Sequence, residues 1–241
     1  MAEVRHDLDA LAAVLAAARI GGGLAAACPA LDLAQGYAVA GKLADRLGRG
    51  IGWKIGATSP GAQSFLKVAE PIRGRLYGCW HDGAVVITPG DRPVEVEPEI
   101  IVRLGDGLEP VAAWVGVEFN RPSFADPFAL GVGAIVADNA ASLGVLIGPS
   151  LPLAALEAPE RLTARLRVDG AVVGEGRADA VLGDPRRALD WLERALAGTP
   201  DALRPGDLVA TGAMCRSAPA PRGARVEVEA DGHGRGSVLM G

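Results

Sequence analysis

An α+β fold with a β-rich body is what this sequence predicts. Three observations carry that expectation. Helical periodicity is concentrated in the first fifty residues. Short apolar or alternating segments, separated by turn residues, fill most of the rest. Helical and strand patterns do not alternate regularly, so a repeating βαβ architecture is not expected.

The first helix starts at Asp7 or Asp9, carries Leu8, Leu11 and Leu15 at helical spacing, and ends at Gly21-Gly22-Gly23. A second runs from Leu33 to Leu47, with Asp32 as cap and Gly48 as stop. A third is capped by Asp184 with Pro185 at its first position. Leu189, Trp191, Leu192 and Leu196 form its apolar face, and Gly198 ends it. Strands are expected at Ile51–Gly56, Ala84–Thr88, Val94–Leu104, Val111–Phe119 and Val132–Val136. Further ones are expected at Leu143–Gly148, Leu162–Val168, Leu208–Thr211, Ala224–Glu229 and Gly236–Met240. Asp169-Gly170 and Asp231-Gly232 supply turns. Residues 1–50 thus read as a helical appendage on a single body spanning 51–241.

Composition excludes several function classes. The chain has 241 residues with 24 Lys+Arg against 29 Asp+Glu, a net charge of −5. No basic stripe marks a nucleic-acid partner. The longest apolar run, Ala10–Ala18, is too short to span a membrane. Cys28, Cys79 and Cys215 are odd in number and widely spaced, which disfavours a disulfide framework or a zinc site. The N-terminus lacks signal-peptide architecture, so a cytoplasmic protein is expected. There is no P-loop, HExxH or GxSxG motif. His6, His81 and His233 have no partner pattern and receive no role.

Three segments could carry chemistry. In VEVEPEIIVRL (94–104), strand alternation puts Glu95, Glu97, Glu99, Ile101 and Arg103 on one face and the apolar residues on the other. Same-face neighbours are roughly 6.6 Å apart. Two carboxylates there repel by about 2.5 kcal/mol at an effective dielectric near 20. A hard divalent cation would turn that cost into a gain. A solvated polar face explains the pattern equally, and RVEVE (225–229) shows the same alternation. In GWKIGATSPG (52–61), Lys54 could point inward, where burial lowers its pKa, or reach solvent from a strand edge. Thr58-Ser59-Pro60-Gly61 reads as a turn whose hydroxyl and amide groups could hold a carboxylate. In IVADNAASLGVLIG (135–148), Asp138-Asn139 could support ligands or form an ordinary turn.

Together, GWKIGATSPGAQSFLKVAEPIRGRL, VEVEPEIIVRL, VAAWVGVEFNRPSF, IVADNAASLGVLIG, GEGRADAVLGDPRRALDWLERALA and LRPGDLVATGA resemble, in order, the 2-keto-4-pentenoate hydratase group of the fumarylacetoacetate hydrolase superfamily. The resemblance implies a mixed-sheet roll of that superfamily's C-terminal-domain type with helices attached. It implies Mg²⁺ or Mn²⁺ held by Glu97, Glu99 and Glu118, with Lys54 as proton-transfer group. Glu118 enters through the resemblance alone, not through spacing. Ile55, Thr58, Ser59, Arg73, Asp138, Asn139 and Thr211 are the implied substrate-binding set. The implied reaction adds water to a small 2-hydroxy-2,4-dienoate in aromatic catabolism. Where hydratases of the group carry an acidic residue, this chain has Ile72 and Arg73. Arg73 could bind a second substrate carboxylate, which suits decarboxylation of a 2-oxo-enedioate. C–C hydrolysis of an acylpyruvate and a non-catalytic metal-binding role are further alternatives. A homo-oligomer is expected from the group.

Overall fold

A computed structural model describes residues 7–86, 88 and 90–241. His6 and Ile87, the latter inside the expected strand Ala84–Thr88, lie outside the described residues. The helices are α1 (Leu8–Gly21), α2 (Leu33–Leu47), α3 (Pro60–Leu66), α4 (Pro127–Leu130), α5 (Val132–Ala137) and α6 (Pro185–Leu196). The first seven strands are β1 (Gly52–Gly56), β2 (Ile72–Leu76), β3 (Gly78–His81), β4 (Val85–Val86), β5 (Val94–Leu104), β6 (Pro110–Asn120) and β7 (Ser142–Ile147). The others are β8 (Ser150–Leu151), β9 (Thr163–Val168), β10 (Ala171–Arg177), β11 (Leu208–Ala213), β12 (Ala218–Ala220), β13 (Arg225–Ala230) and β14 (Gly234–Met240).

The helix starts follow capping chemistry. Asp7 accepts from the Ala10 amide, and Asp32 and Gln35 form a reciprocal capping box. Asp184 accepts from the Arg186 amide ahead of Pro185 in the first turn. Ser59 caps α3, so the expected turn at 58–61 is instead the entry to a short helix. Val132–Val136 is a correction of type. The stretch is helix α5, entered from Gly131 at φ 86°, and not a strand. A short apolar run fits either state, and packing decides here. A Cβ on Gly36 of α2 would sit 2.4 Å from the Gly133 carbonyl oxygen of α5, so the two backbones touch.

The strands form two sheets. The larger runs β2-β1-β11-β5-β6-β7-β3, with β12 also on β5 and β8 on β6; the smaller runs β10-β9-β13-β14-β4. One face of the larger sheet shares the main core with the smaller sheet and α6. Val96, Ile100 and Val102 of β5 meet there with Leu166, Val226, Val228, Trp191 and Leu192. Each such fully buried side chain contributes about 1.5–3 kcal/mol. A second core joins α1 and α2 to the body, because Leu11, Leu15, Val39 and Leu43 pack with Phe124, Ala134 and Ala137. Among the described residues, no helix is long and apolar enough to cross a membrane.

Candidate functional site

Strand parity builds the site. β5 and β6 are antiparallel partners with Glu97 opposite Glu118, Glu95 opposite Asn120 and Glu99 opposite Gly116. Directly paired residues project to the same side. Glu95, Glu97, Glu99, Glu118 and Asn120 therefore share the face turned away from the main core. Lys54 of β1 lies three strands from β6 in the sheet order. In a flat sheet that separation is roughly 14 Å between backbones. Lys54 Nζ nonetheless donates to Glu118 Oε2 at 3.0 Å, so the sheet must curl there. The curl coincides with a register shift between β11 and β5 at Ala210–Ala213. Gly212 sits in that shift at φ 129° and turns its amide to Glu99 Oε2 at 2.9 Å. A Cβ at Gly212 would lie 2.2 Å from Thr58 Oγ1.

Protein donors engage one oxygen of each carboxylate. Lys54 and Asn120 Nδ2 both donate to Glu118 Oε2, the latter at 3.1 Å. Asn120 Nδ2 also reaches Glu97 Oε2 at 3.2 Å. Gly212 serves Glu99. One oxygen from each of the three glutamates lies within 4.8 Å of the others. Glu118 Oε1 is buried without a hydrogen-bond partner among the described residues. A buried anionic oxygen left unpaired is costly, and a hard cation is the partner that three converging carboxylates suit. The donor set therefore fits a hard divalent ion over softer metals.

Protonation follows from the crowding. Burial raises Glu97 to about 7; Lys54 opposes the shift, and Glu118 and Glu95 add to it. Burial first and Glu118 second hold Glu99 well above the usual carboxylate range. For Lys54, the expected downward shift is corrected. Burial pushes its pKa down, but Glu118, Glu97 and Glu99 outweigh burial and move it up. Lys54 is buried as one of the two readings required, and it is held as an ammonium.

The remaining sequence-derived candidates divide. Thr58 and Ser59 line a cavity of about 910 Å³ that also touches Glu97, Glu99 and Cys215. Ile55 borders that cavity too, while its side chain is fully buried in the main core. Arg73 is a correction. It pairs with Ile55, one residue out of phase with Lys54, which pairs with Gly74. Its side chain is therefore on the opposite face, with the guanidinium 4.1 Å from the Tyr37 ring centroid. Asn139 is a second correction. Its amide group holds the backbone of Arg75 through both N–H and C=O, so it fastens β2 and faces no substrate. Asp138 and Lys54 both border a second, separate cavity, yet the Asp138 carboxylate is taken up by Ser123 and by Arg19 at 3.1 Å. Thr211 donates its hydroxyl to the Ile100 carbonyl and is fully buried. Both act as struts.

Sequence reasoning missed Asn120, Arg92 and Arg121. Asn120 lies two residues beyond Glu118 on the same strand face, a signal that alternation could have supplied. Arg92 and Arg121 have no periodic signature. Both line a cavity of about 620 Å³ with Lys54, Glu95, Glu97 and Asn120.

The chain is similar to known proteins in sequence and fold. Residues 131–238 match the model of the fumarylacetoacetate (FAA) hydrolase C-terminal family. A 4-oxalocrotonate decarboxylase of Pseudomonas sp. is 32% identical over 71% of this chain and 72% of its own. The 2-keto-4-pentenoate hydratase 2 of Dechloromonas aromatica is 31% identical over 79% of this chain and 78% of its own. The solved 4-oxalocrotonate decarboxylase from Pseudomonas putida G7, complexed with calcium and acetate, shares 26% identity at a TM-score of 0.83, covering 99% of both chains.

Proposed function

The chain belongs to the 2-keto-4-pentenoate hydratase group of the fumarylacetoacetate hydrolase superfamily, and on that premise we propose that it is a divalent-metal-dependent lyase that hydrates a small 2-hydroxy-2,4-dienoate. The observation that carries the reading is the convergence of Glu97, Glu99 and Glu118 on one point with Lys54 against Glu118. Glu97, Glu99 and Glu118 would hold Mg²⁺ or Mn²⁺. The bound ion supplies Lewis acidity toward the substrate's carboxylate and 2-oxygen.

The chain's own residues do the rest. Asn120 and the Gly212 amide fix the carboxylates in place, as supporting hydrogen bonds do in metal sites. The dienol must move a proton from its 2-hydroxyl oxygen to carbon before water can add to the distal double bond. Lys54 Nζ is the buried, protonated group at that point, so it would give its own proton to carbon and then, as the amine, take the proton from the 2-hydroxyl oxygen, which restores the ammonium. Lys54, Glu99 and Glu118 are buried, which strengthens each of these interactions. Thr58 and Ser59 border the same space and orient the substrate.

The test follows ultraviolet absorbance of 2-hydroxypenta-2,4-dienoate with Mg²⁺ or Mn²⁺. Consumption by the wild-type protein and its loss in Glu97→Gln is the expected result. No consumption with either ion refutes the reading. The relatives named decarboxylase favour a second reaction on the same scaffold, loss of carbon dioxide from a 2-oxo-enedioate. Carbon dioxide release separates the two.

A further inference from the structure

Two cavities abut the site, one of about 910 Å³ and one of about 620 Å³. Gly56, Ala57, Glu97 and Ser217 line both, so the two meet at Glu97. Thr58, Ser59 and Glu99 line the larger, and Lys54 lines the smaller. A ligand with its carboxylate end among Thr58, Ser59, Glu97 and Glu99 must therefore run past Glu97 to bring its carbon chain to Lys54. Whatever lies beyond the reacting carbons enters the smaller cavity. A space of that size holds drug-sized molecules, far more than a five-carbon acid fills.

The wall beside Lys54 is hydrocarbon. In the β1–β2 ladder Gly56 pairs with Ile72, and Lys54 with Gly74. Paired residues project to the same side, as do alternate residues of one strand. Ile72 thus shares the face of Lys54. The approach is close, since a Cβ on Gly56 would lie 3.2 Å from Ile72 Cγ1 and 3.7 Å from Lys54 Nζ. Gly56 does not adopt a left-handed φ, so its backbone does not demand glycine. What glycine provides there is room between the ammonium group and Ile72. Ile72 packs with Ile135, Ala140 and Leu66, and all four line the smaller cavity. Arg92, Glu95, Arg121, Asp126 and Asp138 line it too. None of these belongs to β1, β2 or α3, the elements that carry Gly56, Ile72 and Leu66. Asp126 is engaged in capping α4, and Asp138 is held by Arg19.

We propose that Gly56, Leu66, Ile72 and Ile135 form an apolar subsite beside Lys54 for the end of the substrate remote from its carboxylate, so that the preferred dienoate carries a hydrocarbon tail of several carbons on its distal carbon. This rests on the reading of Glu97, Glu99 and Glu118 as a metal site. Ile72 and Ile135 are specificity-determining residues in it, because they touch the tail and not the reacting atoms.

The test measures binding of 2-oxopentanoate and 2-oxooctanoate by titration calorimetry. Both ligands carry the same 2-oxo acid head and differ only in tail length. The full chain is used with Mg²⁺ and again with a chelator. Each buried methylene strengthens binding roughly three- to four-fold. The wild-type protein with Mg²⁺ should therefore bind 2-oxooctanoate at least about ten-fold more tightly. Ile72→Thr should cut that gain to below about three-fold and leave the affinity for 2-oxopentanoate unchanged. A second measurement needs no variant: the heat-capacity change on binding becomes more negative with the longer tail, the mark of apolar burial. Equal affinities, no measurable binding of 2-oxooctanoate, a gain that survives Ile72→Thr, or a heat-capacity change that ignores tail length overturns the proposal. Affinities that ignore the chelator strike the metal reading instead, and a tail-length gain that persists there still supports the subsite.

Discussion

Replacing Glu97 by Gln should make the metal-free protein more stable, not less. In the folded chain Glu97 titrates at about 7 instead of its ordinary 4.5, with burial as the main cause. At about 1.4 kcal/mol per unit, keeping Glu97 ionised costs the folded state up to about 3 kcal/mol relative to the unfolded chain. The sign follows from the direction. A carboxyl group whose folded pKa is raised favours folding when protonated, and that advantage disappears as pH rises from about 4.5 through about 7. Glutamine carries no such charge, and its amide oxygen can still accept from Asn120, which now donates to Glu97. At pH 8 with a chelator, Glu97→Gln should therefore melt higher than wild type, by up to about 6–12 °C at roughly 2–4 °C per kcal/mol. At pH 5 the gap should close. With Mn²⁺ at about a hundred times its Kd, wild type gains roughly 2.7 kcal/mol from binding. The variant gains little, and the order of melting temperatures reverses or closes. Scanning fluorimetry at the two pH values, with and without ion, reads all four conditions. A variant that melts below wild type in chelator at pH 8, or shows the same ion-induced shift, refutes the electrostatic argument.

Other substitutions probe the supports. Gly212→Ala places a methyl group 2.2 Å from Thr58 Oγ1 and breaks the amide contact to Glu99. It should weaken Mn²⁺ binding by about 10–100-fold, as supporting contacts do, and unchanged calorimetric affinity would contradict this. Arg19→Met leaves Asp138 buried without its cation and should cost about 3–5 kcal/mol in urea unfolding. A loss under 1 kcal/mol would mean that Ser123 alone satisfies Asp138. Ala141→Gly should stabilise by about 1 kcal/mol, because Asn139, Ala140 and Ala141 all have positive φ (57°, 49° and 64°) and left-handed alanine costs roughly 1–2 kcal/mol. A destabilised variant in the same unfolding assay would show that the strain is relieved by contacts to the methyl group.

What was readable in the chain was local. The caps at Asp32 and Asp184 and the alternation in 94–104 are set by nearest-neighbour chemistry, and the structure has all three. The misplacement of Arg73 has a different origin. Which way it points depends on the β1–β2 register that pairs Lys54 with Gly74, and no residue near Arg73 encodes that phase. β2 and β3, reading IRGRL and GCWH, lack a clean apolar alternation and were not expected as strands. α5 packs against α2 through a close approach of Gly36 and Gly133, a tertiary contact that six apolar residues cannot announce. Glu118 was reached by resemblance, since its meeting with Glu97 is a cross-strand pairing and not a spacing. Arg92 and Arg121 escaped notice because a guanidinium pair in a cavity wall is assembled from two loops.

Glu97, Glu99 and Glu118 belong to a single antiparallel hairpin, whereas Lys54 is seated by parallel pairing with Ala210, far along the chain. Close-range pairings form with a smaller entropic penalty than distant ones. The acidic half of the site can thus assemble during folding before β11 bridges the Lys54 strand to it. A growing chain would hold a cation-hungry pocket with no proton carrier until its last third was in place.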